Sequence, residues 1–329
     1  MVLPILILFL SVLMFTTSNM VIFYMTIELS ILLFVYYFSY STYVERTYSF
    51  SYIVTYILCF SLPLLTLILG LSTINFNCIV IIEWRWIISI SFILLFLGKL
   101  PVFGIHYWLL KAHSNCSTEG SVILAALILK VGVYGFIYYN YLFNHNLKII
   151  QIVFVIGIII SSINLIYIVD IKTIIAQTRV THICFLGWFM TTSEGNMDII
   201  IIYCIVHGIT TTVLFSLGGD LMNINKSRNI IMLNIKGAAI LFWAFILINN
   251  SFPISPYFIV EVYILTILIS TIRNVLLIIL LVIIIINGTV FINWFHSGFK
   301  KISRSANVLI TSYESTYLIS TSIWLVYIY

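Results

Sequence analysis

The sequence predicts an all-α integral membrane protein of about eleven transmembrane helices, two of them broken, and three observations lead there. Of 329 residues, 62% are hydrophobic and 8% are charged, and the mean hydropathy is +1.18. A soluble domain carries roughly 25% charged residues because its surface must be solvated. With so few charges, the outer face of this chain must meet lipid. The second observation is that apolar stretches of about 20 residues, the length that crosses a hydrocarbon core, recur from end to end. The third is that basic residues collect in alternate loops.

The spans are expected at 2–18, 20–40, 50–72, 87–112, 119–140, 148–169, 172–192, 197–218, 232–270, 272–296 and 306–328. The ninth is too long for one straight helix. Pro253 and Pro256 interrupt it, so it reads as a broken helix whose halves together cross once. Arg46, Lys111, Lys172, Lys226, Arg228, Lys300, Lys301 and Arg304 fall on one side of the membrane, against Arg85, Lys148 and Arg273 on the other. The positive-inside rule puts the first group on the matrix or cytoplasmic side. Trp84, Arg85 and Trp86 read as an interfacial anchor.

The order of spans suggests a duplication. Residues 1–146 would form one five-helix repeat, 147–297 a second, and 298–329 a C-terminal helix. An odd-numbered unit repeated in tandem is inverted, which is a transporter architecture. In each repeat the fourth helix is the interrupted one, at Gly98, Pro101 and Gly104 and again at Pro253 and Pro256. Matched broken helices point to a transport site, because irregular backbone at membrane depth is tolerated only within protein or beside water.

Other classes are excluded by what the chain is made of. No segment holds the dense basic run of a nucleic-acid binder. The cysteines, Cys59, Cys78, Cys116, Cys184 and Cys204, show neither CxxC spacing nor a Cys/His cluster, so zinc and iron–sulfur ligation are not expected. The apolar N-terminus lacks the basic region and cleavage site of a secretory signal, and no Arg-rich transit peptide is present. Abundant Ile, Phe and Tyr fit an AT-rich organelle genome.

Four ionisable residues fall inside apolar stretches: Glu28, Lys99, Lys130 and Glu261. Each costs about 2.5–3.5 kcal/mol or more at the membrane centre unless paired or hydrated. They read either as buried ion pairs that fix packing or as proton carriers. Burial disfavours a charged lysine and a nearby carboxylate favours it. A lysine alternately paired and unpaired can therefore take up and release a proton. Lys99 lies in LFLGKLPVFG, where Pro101 frees a backbone carbonyl. Lys130 lies in ALILKVGVYG, where Gly132 and Gly135 permit close backbone approach or bound water. His182 and His207 sit within spans and extend a relay or serve as packing histidines. His106 and His113 flank the end of span four and are candidates for proton uptake. Arg179, a cation inside a span near His182, is open to snorkelling, a lipid headgroup or another subunit.

These stretches resemble a known family. KLPVFGIHYWLLKAH followed by GSVILAALILKVGVYG is similar to the central signature of the antiporter-like subunit 4 of respiratory NADH dehydrogenase (complex I). FYMTIELS, VERTYSF, SLPLLTLILG, DIKTIIAQTRVTH, VHGITTTVLF, NKSR and SFPISPYFIVEV continue in the family's order. The resemblance implies two inverted five-helix repeats and a proton-pumping module. It implies that Glu28 pairs with the pump lysine Lys99, that Lys130 is the central lysine, and that His182 and His207 lie on the hydrophilic axis. Glu261 would be the terminal ionisable residue on the broken helix. Breaking the Glu28–Lys99 pair would drive a proton along the chain.

The resemblance further implies a multi-pass protein of the mitochondrial inner membrane, encoded in the organelle, with no redox centre of its own. NADH, flavin, iron–sulfur clusters and ubiquinone would belong to other subunits of the complex. Partners would be other membrane-arm subunits, especially antiporter-like neighbours, and lipids such as cardiolipin. The match begins near the family's fourth helix, so the first three are either lost or supplied by a separate polypeptide. Departures are also present: the family's HVEAP is here His113-Ser114-Asn115-Cys116-Ser117, Arg179 replaces a small residue, and Val260 replaces a glycine. Glu119 stands near the lost loop carboxylate. Two rivals share these features, a cation/proton antiporter subunit and a non-pumping structural subunit of the membrane arm.

Overall fold

The computed structural model describes residues 2–17, 20–39, 46–73, 90–91, 93–102, 104–143, 148–191, 197–229, 238–250 and 255–271. Every regular element among them is helical, and the only β-type pairing is an isolated bridge between Asp170 and Asn229. The expected spans at 272–296 and 306–328, the Trp84–Arg85–Trp86 anchor and Pro253 lie outside the described residues.

The chain forms two compact units, Met1–Leu147 and Lys148–Tyr329. In the first, α1 (Val2–Thr16) packs on α2 (Met20–Ser39), and α2 packs on α3 (Arg46–Thr73). Helix α3 continues through Pro63. The helical residues 93–99 give way to turns over 100–106, and α4 (Tyr107–Asn115) resumes the path. This is the interruption expected in span four. Pro101 has no N–H to offer Leu97, and Gly104 takes φ +92°, a conformation that a residue with Cβ resists. Helix α5 (Thr118–Ile123) runs through a π-helical turn, Leu124–Ile128, into α6 (Leu129–Phe143).

In the second unit, α7 (Lys148–Asn164) packs on α8 (Ile171–Met190), which packs on α9 (Met197–Asn225). Helix α9 also touches α10 (Ala238–Asn249) and α11 (Pro256–Thr271). The break between α10 and α11 lies where span nine is interrupted. Pro256 is the first residue of α11, where a missing N–H costs nothing, and Ser255 Oγ accepts the Phe258 N–H at 3.2 Å.

Among the described residues, four helices are long and apolar enough to cross a membrane: Val21–Ser39, Thr47–Thr66, Thr118–Ile137 and Met197–Asn225. Their lipid-facing character shows in exposed apolar side chains such as Leu29, Leu32 and Ile202. Helix α8 is different. It carries Lys172, Gln177, Arg179 and His182, yet all but two of its residues are buried. A helix enclosed on every side by protein does not need an apolar surface, which explains its polarity.

Candidate functional site: two buried clusters of ionisable residues

The first cluster lies at the break in the first unit. Lys99 ends the helical stretch 93–99, and its Nζ donates to Glu28 Oε1 on α2 at 3.1 Å. The lysine is buried and the carboxylate nearly so. The position of Lys99 depends on how closely α6 approaches: a Cβ on Gly132 would stand 3.3 Å from Lys99 Cβ, and one on Gly135 would enter the Phe96 ring. The glycines after Lys130 thus allow the close backbone approach that the sequence suggested. Gly98 makes a similar approach possible on the other side, against Phe60.

Lys130 is the second residue of α6, half-buried, immediately after the π-helical turn. That turn was not legible in LAALI, whose residues are ordinary helix formers. A π-helical turn admits one extra residue and reorients everything after it, and such turns concentrate at functional sites. His106 precedes α4 and His113 lies in its last turn, and both are buried. The loop that lacks the family's carboxylate is organised by Ser117, whose Oγ accepts the Gly120 N–H at 3.2 Å. Glu119 accepts a hydrogen bond from the Tyr37 hydroxyl at 2.8 Å.

The second cluster is built by α8, α9 and α11. His182 Nδ1 lies 3.4 Å from Glu261 Oε1 and 3.2 Å from the Tyr203 hydroxyl. The His182 and His207 rings are 5.9 Å apart at their centroids, and Tyr257 lies against both at 5.1 Å and 6.2 Å. Tyr203 stacks on His207 at 6.3 Å with an interplanar angle of 15°. Two imidazoles, two phenols and a carboxylate therefore share one buried compartment. Val260 leaves the geometry intact, since α11 runs regularly through it and carries Glu261 inward.

Tyr203 and Tyr257 were not singled out from the sequence. A signal existed for Tyr203: it stands four residues before His207, so the two share a face of α9. Thr211 and Phe215 extend the same stripe, and all four are buried. Arg179 packs on this stripe. It is fully buried, donates from Nη2 to Thr211 Oγ1 at 3.0 Å and lies over the Phe215 ring at 5.3 Å. Thr211 in turn donates to the His207 carbonyl at 2.6 Å. Within this chain the guanidinium thus turns inward, one helical turn from His182, instead of snorkelling. Among the described residues, no group of three His, Cys, Asp or Glu side chains could hold a metal ion.

The sequence profile of the family described as "NADH:quinone oxidoreductase/Mrp antiporter, TM" matches residues 4–287. The chain belongs to that family. Its curated relatives include the NADH-ubiquinone oxidoreductase chain 4 of Dictyostelium discoideum, 31% identical over 244 residues, covering 69% of this chain and 45% of that one. The chain 4 of Myxine glutinosa is 32% identical over 279 residues, covering 78% and 60%. The resemblance carried by KLPVFGIHYWLLKAH and the motifs after it is therefore borne out, although the chain spans only about half the length of these relatives. Two solved structures share the fold. Respiratory complex I from Thermus thermophilus has a chain of TM-score 0.79 and 19% identity, covering 95% of this chain and 71% of that one. The Mrp complex from Dietzia has one of TM-score 0.72 and 15% identity, covering 88% and 58%.

Proposed function

We propose that the protein is a proton-translocating, antiporter-like subunit in the membrane arm of a respiratory NADH:ubiquinone oxidoreductase, in the mitochondrial inner membrane. The observation that carries this reading is the Lys99–Glu28 ion pair at a broken helix. A packing bridge needs no interrupted backbone beside it. A pair that must open and close does, because the break supplies free carbonyls and room for water. Parting the pair leaves an isolated buried ammonium, which is costly unless it gives up its proton.

In this reading the first unit holds the switch, Glu28 and Lys99, together with the central lysine, Lys130. The second holds the relay His182, His207 and Glu261. Protons enter from the matrix side, past His106 and His113, load Lys130 through the His182 and His207 region, and leave through Glu261. The about eleven spans are arranged as two inverted five-helix repeats, 1–146 and 147–297, and a C-terminal helix, 298–329. The chain carries no redox centre. Electrons pass from NADH through flavin and iron–sulfur clusters to ubiquinone in other subunits. Its partners are neighbouring antiporter-like subunits and lipids such as cardiolipin. The composition supports encoding in the organelle.

A second reading, a subunit of a cation/proton antiporter, is favoured by the family's breadth and by the shared fold with the Mrp complex. Native gel electrophoresis of solubilised membranes separates the two. Co-migration of the chain with an NADH-oxidising band supports the first, as does proton uptake by vesicles on addition of NADH. Proton movement driven by a sodium or potassium gradient, with no electron flow, supports the second.

A further inference from the structure

In the second cluster, one nitrogen has two partners. His182 Nδ1 faces Glu261 Oε1 at 3.4 Å and the Tyr203 oxygen at 3.2 Å, while the same Tyr203 oxygen lies 3.4 Å from the His182 backbone carbonyl. Nδ1 with a proton can donate only; Nδ1 without one can accept only. The carboxylate and the phenol therefore suit opposite states of the ring. With Nδ1–H present, it donates to Glu261 and the phenol donates to the carbonyl. Without it, the phenol donates to Nδ1.

We propose that Tyr203 is a positioning residue that slows the return of a proton from Glu261 to His182. The inference rests on the proton-pump reading above. In the forward step the Nδ1–H bond breaks and an O–H bond forms on Glu261 Oε1. The ring keeps its other proton on Nε2. The Tyr203 hydroxyl then turns from the His182 carbonyl to the bare Nδ1, keeping its own proton. While the phenol holds Nδ1, return of the proton from Glu261 is slowed, which favours its departure by the far side. The next proton enters at the same Nδ1, the one bare nitrogen of the ring, as the phenol turns back to the carbonyl.

The surroundings suit such a rotor. Tyr203 is buried, and its ring is fixed between His207, stacked at 6.3 Å, and Tyr257, edge-on at 5.1 Å. Only the hydroxyl hydrogen need move. The groups facing it are His182 from α8, His207 and Cys204 from α9, and Tyr257 and Glu261 from α11.

The test uses the assembled complex in proteoliposomes and reads protons moved per electron, with and without an opposing pH gradient. Tyr203→Phe keeps the ring and removes the hydroxyl. Losing one hydrogen bond to Nδ1 speeds the return step by up to about tenfold. The ratio should therefore fall in proportion to the opposing gradient, more steeply than in the native complex, a dependence that a packing role would not produce. A native ratio at every gradient, or failure of Tyr203→Phe to assemble, overturns the proposal. Glu261→Gln, measured in parallel, distinguishes the two claims. Lowered pumping in Glu261→Gln with a native Tyr203→Phe sinks the latch alone, and native pumping in both sinks the pump reading as well.

Discussion

Lys99 Nζ and Glu28 Oε1 stand 3.1 Å apart across two helices of the first unit, at the point where one of them stops. The two residues are 71 positions apart in the chain, so the pair exists only because the fold brings an apolar helix bearing one acid against a helix end bearing one base. Removing one partner of a buried pair costs about 3–5 kcal/mol, because the other is left charged and dry. Glu28→Gln should therefore lower both the thermal stability of the complex and its pumping. The double substitution Glu28→Gln, Lys99→Gln should recover stability without recovering pumping. If pumping returns with stability, the pair is a packing device.

Close approach at the break depends on two glycines. Gly135→Ala places a methyl group inside the Phe96 ring, and overpacking of this kind costs about 1–3 kcal/mol. Gly132→Ala meets Lys99 Cβ at 3.3 Å, a contact that a small shift relieves. Thermal unfolding of the purified complex should show a clear loss for Gly135→Ala and a smaller one for Gly132→Ala. The reverse order would show that α6 is not held as described.

The π-helical turn Leu124–Ile128 sets the direction of Lys130. Inserting one alanine between Leu129 and Lys130, beyond that turn, should rotate Lys130 by about 100° relative to α5, the angle of one helical residue. The complex should still assemble on a native gel while NADH-driven proton uptake is lost. Uptake at the native rate would show that the orientation of Lys130 is immaterial.

Arg179 ties α8 to α9 through Thr211 and Phe215. Arg179→Ala should destabilise the second unit by about 1.5–3 kcal/mol, the range for a hydrogen bond made by a charged group. Arg179→Lys should restore little, because an ammonium cannot lie flat on the Phe215 ring and reach Thr211 together. A shift in unfolding temperature that is the same in both variants would bear this out, and full recovery in Arg179→Lys would contradict it.

Much of this arrangement is legible in sequence. A charge inside an apolar stretch is conspicuous, so Glu28, Lys99, Lys130 and Glu261 stand out, and Pro101 and Pro256 mark where helices stop. Pairing across space is less visible. The burial of Arg179 depends on Thr211 and Phe215, thirty and more residues on, and no local pattern announces it. The π-helical turn is silent because LAALI favours a helix of either kind. Tyr257 is silent for a related reason: tyrosine is so frequent in this chain that one more carries no signal until α8, α9 and α11 are packed, whereas Tyr203 is marked by its four-residue spacing from His207. The polar character of α8 makes it a poor span by hydropathy, and only its enclosure by neighbours explains it.

The central claim is that buried charges in this chain move protons when NADH is oxidised. Lys130→Ala in the complete complex, reconstituted in liposomes, tests it most directly, with protons counted per electron delivered to quinone. The account expects an assembled, NADH-oxidising complex whose ratio falls below that of the native complex by the share this subunit carries. A native ratio in an assembled Lys130→Ala complex would contradict it, and would leave the chain a structural member of the membrane arm.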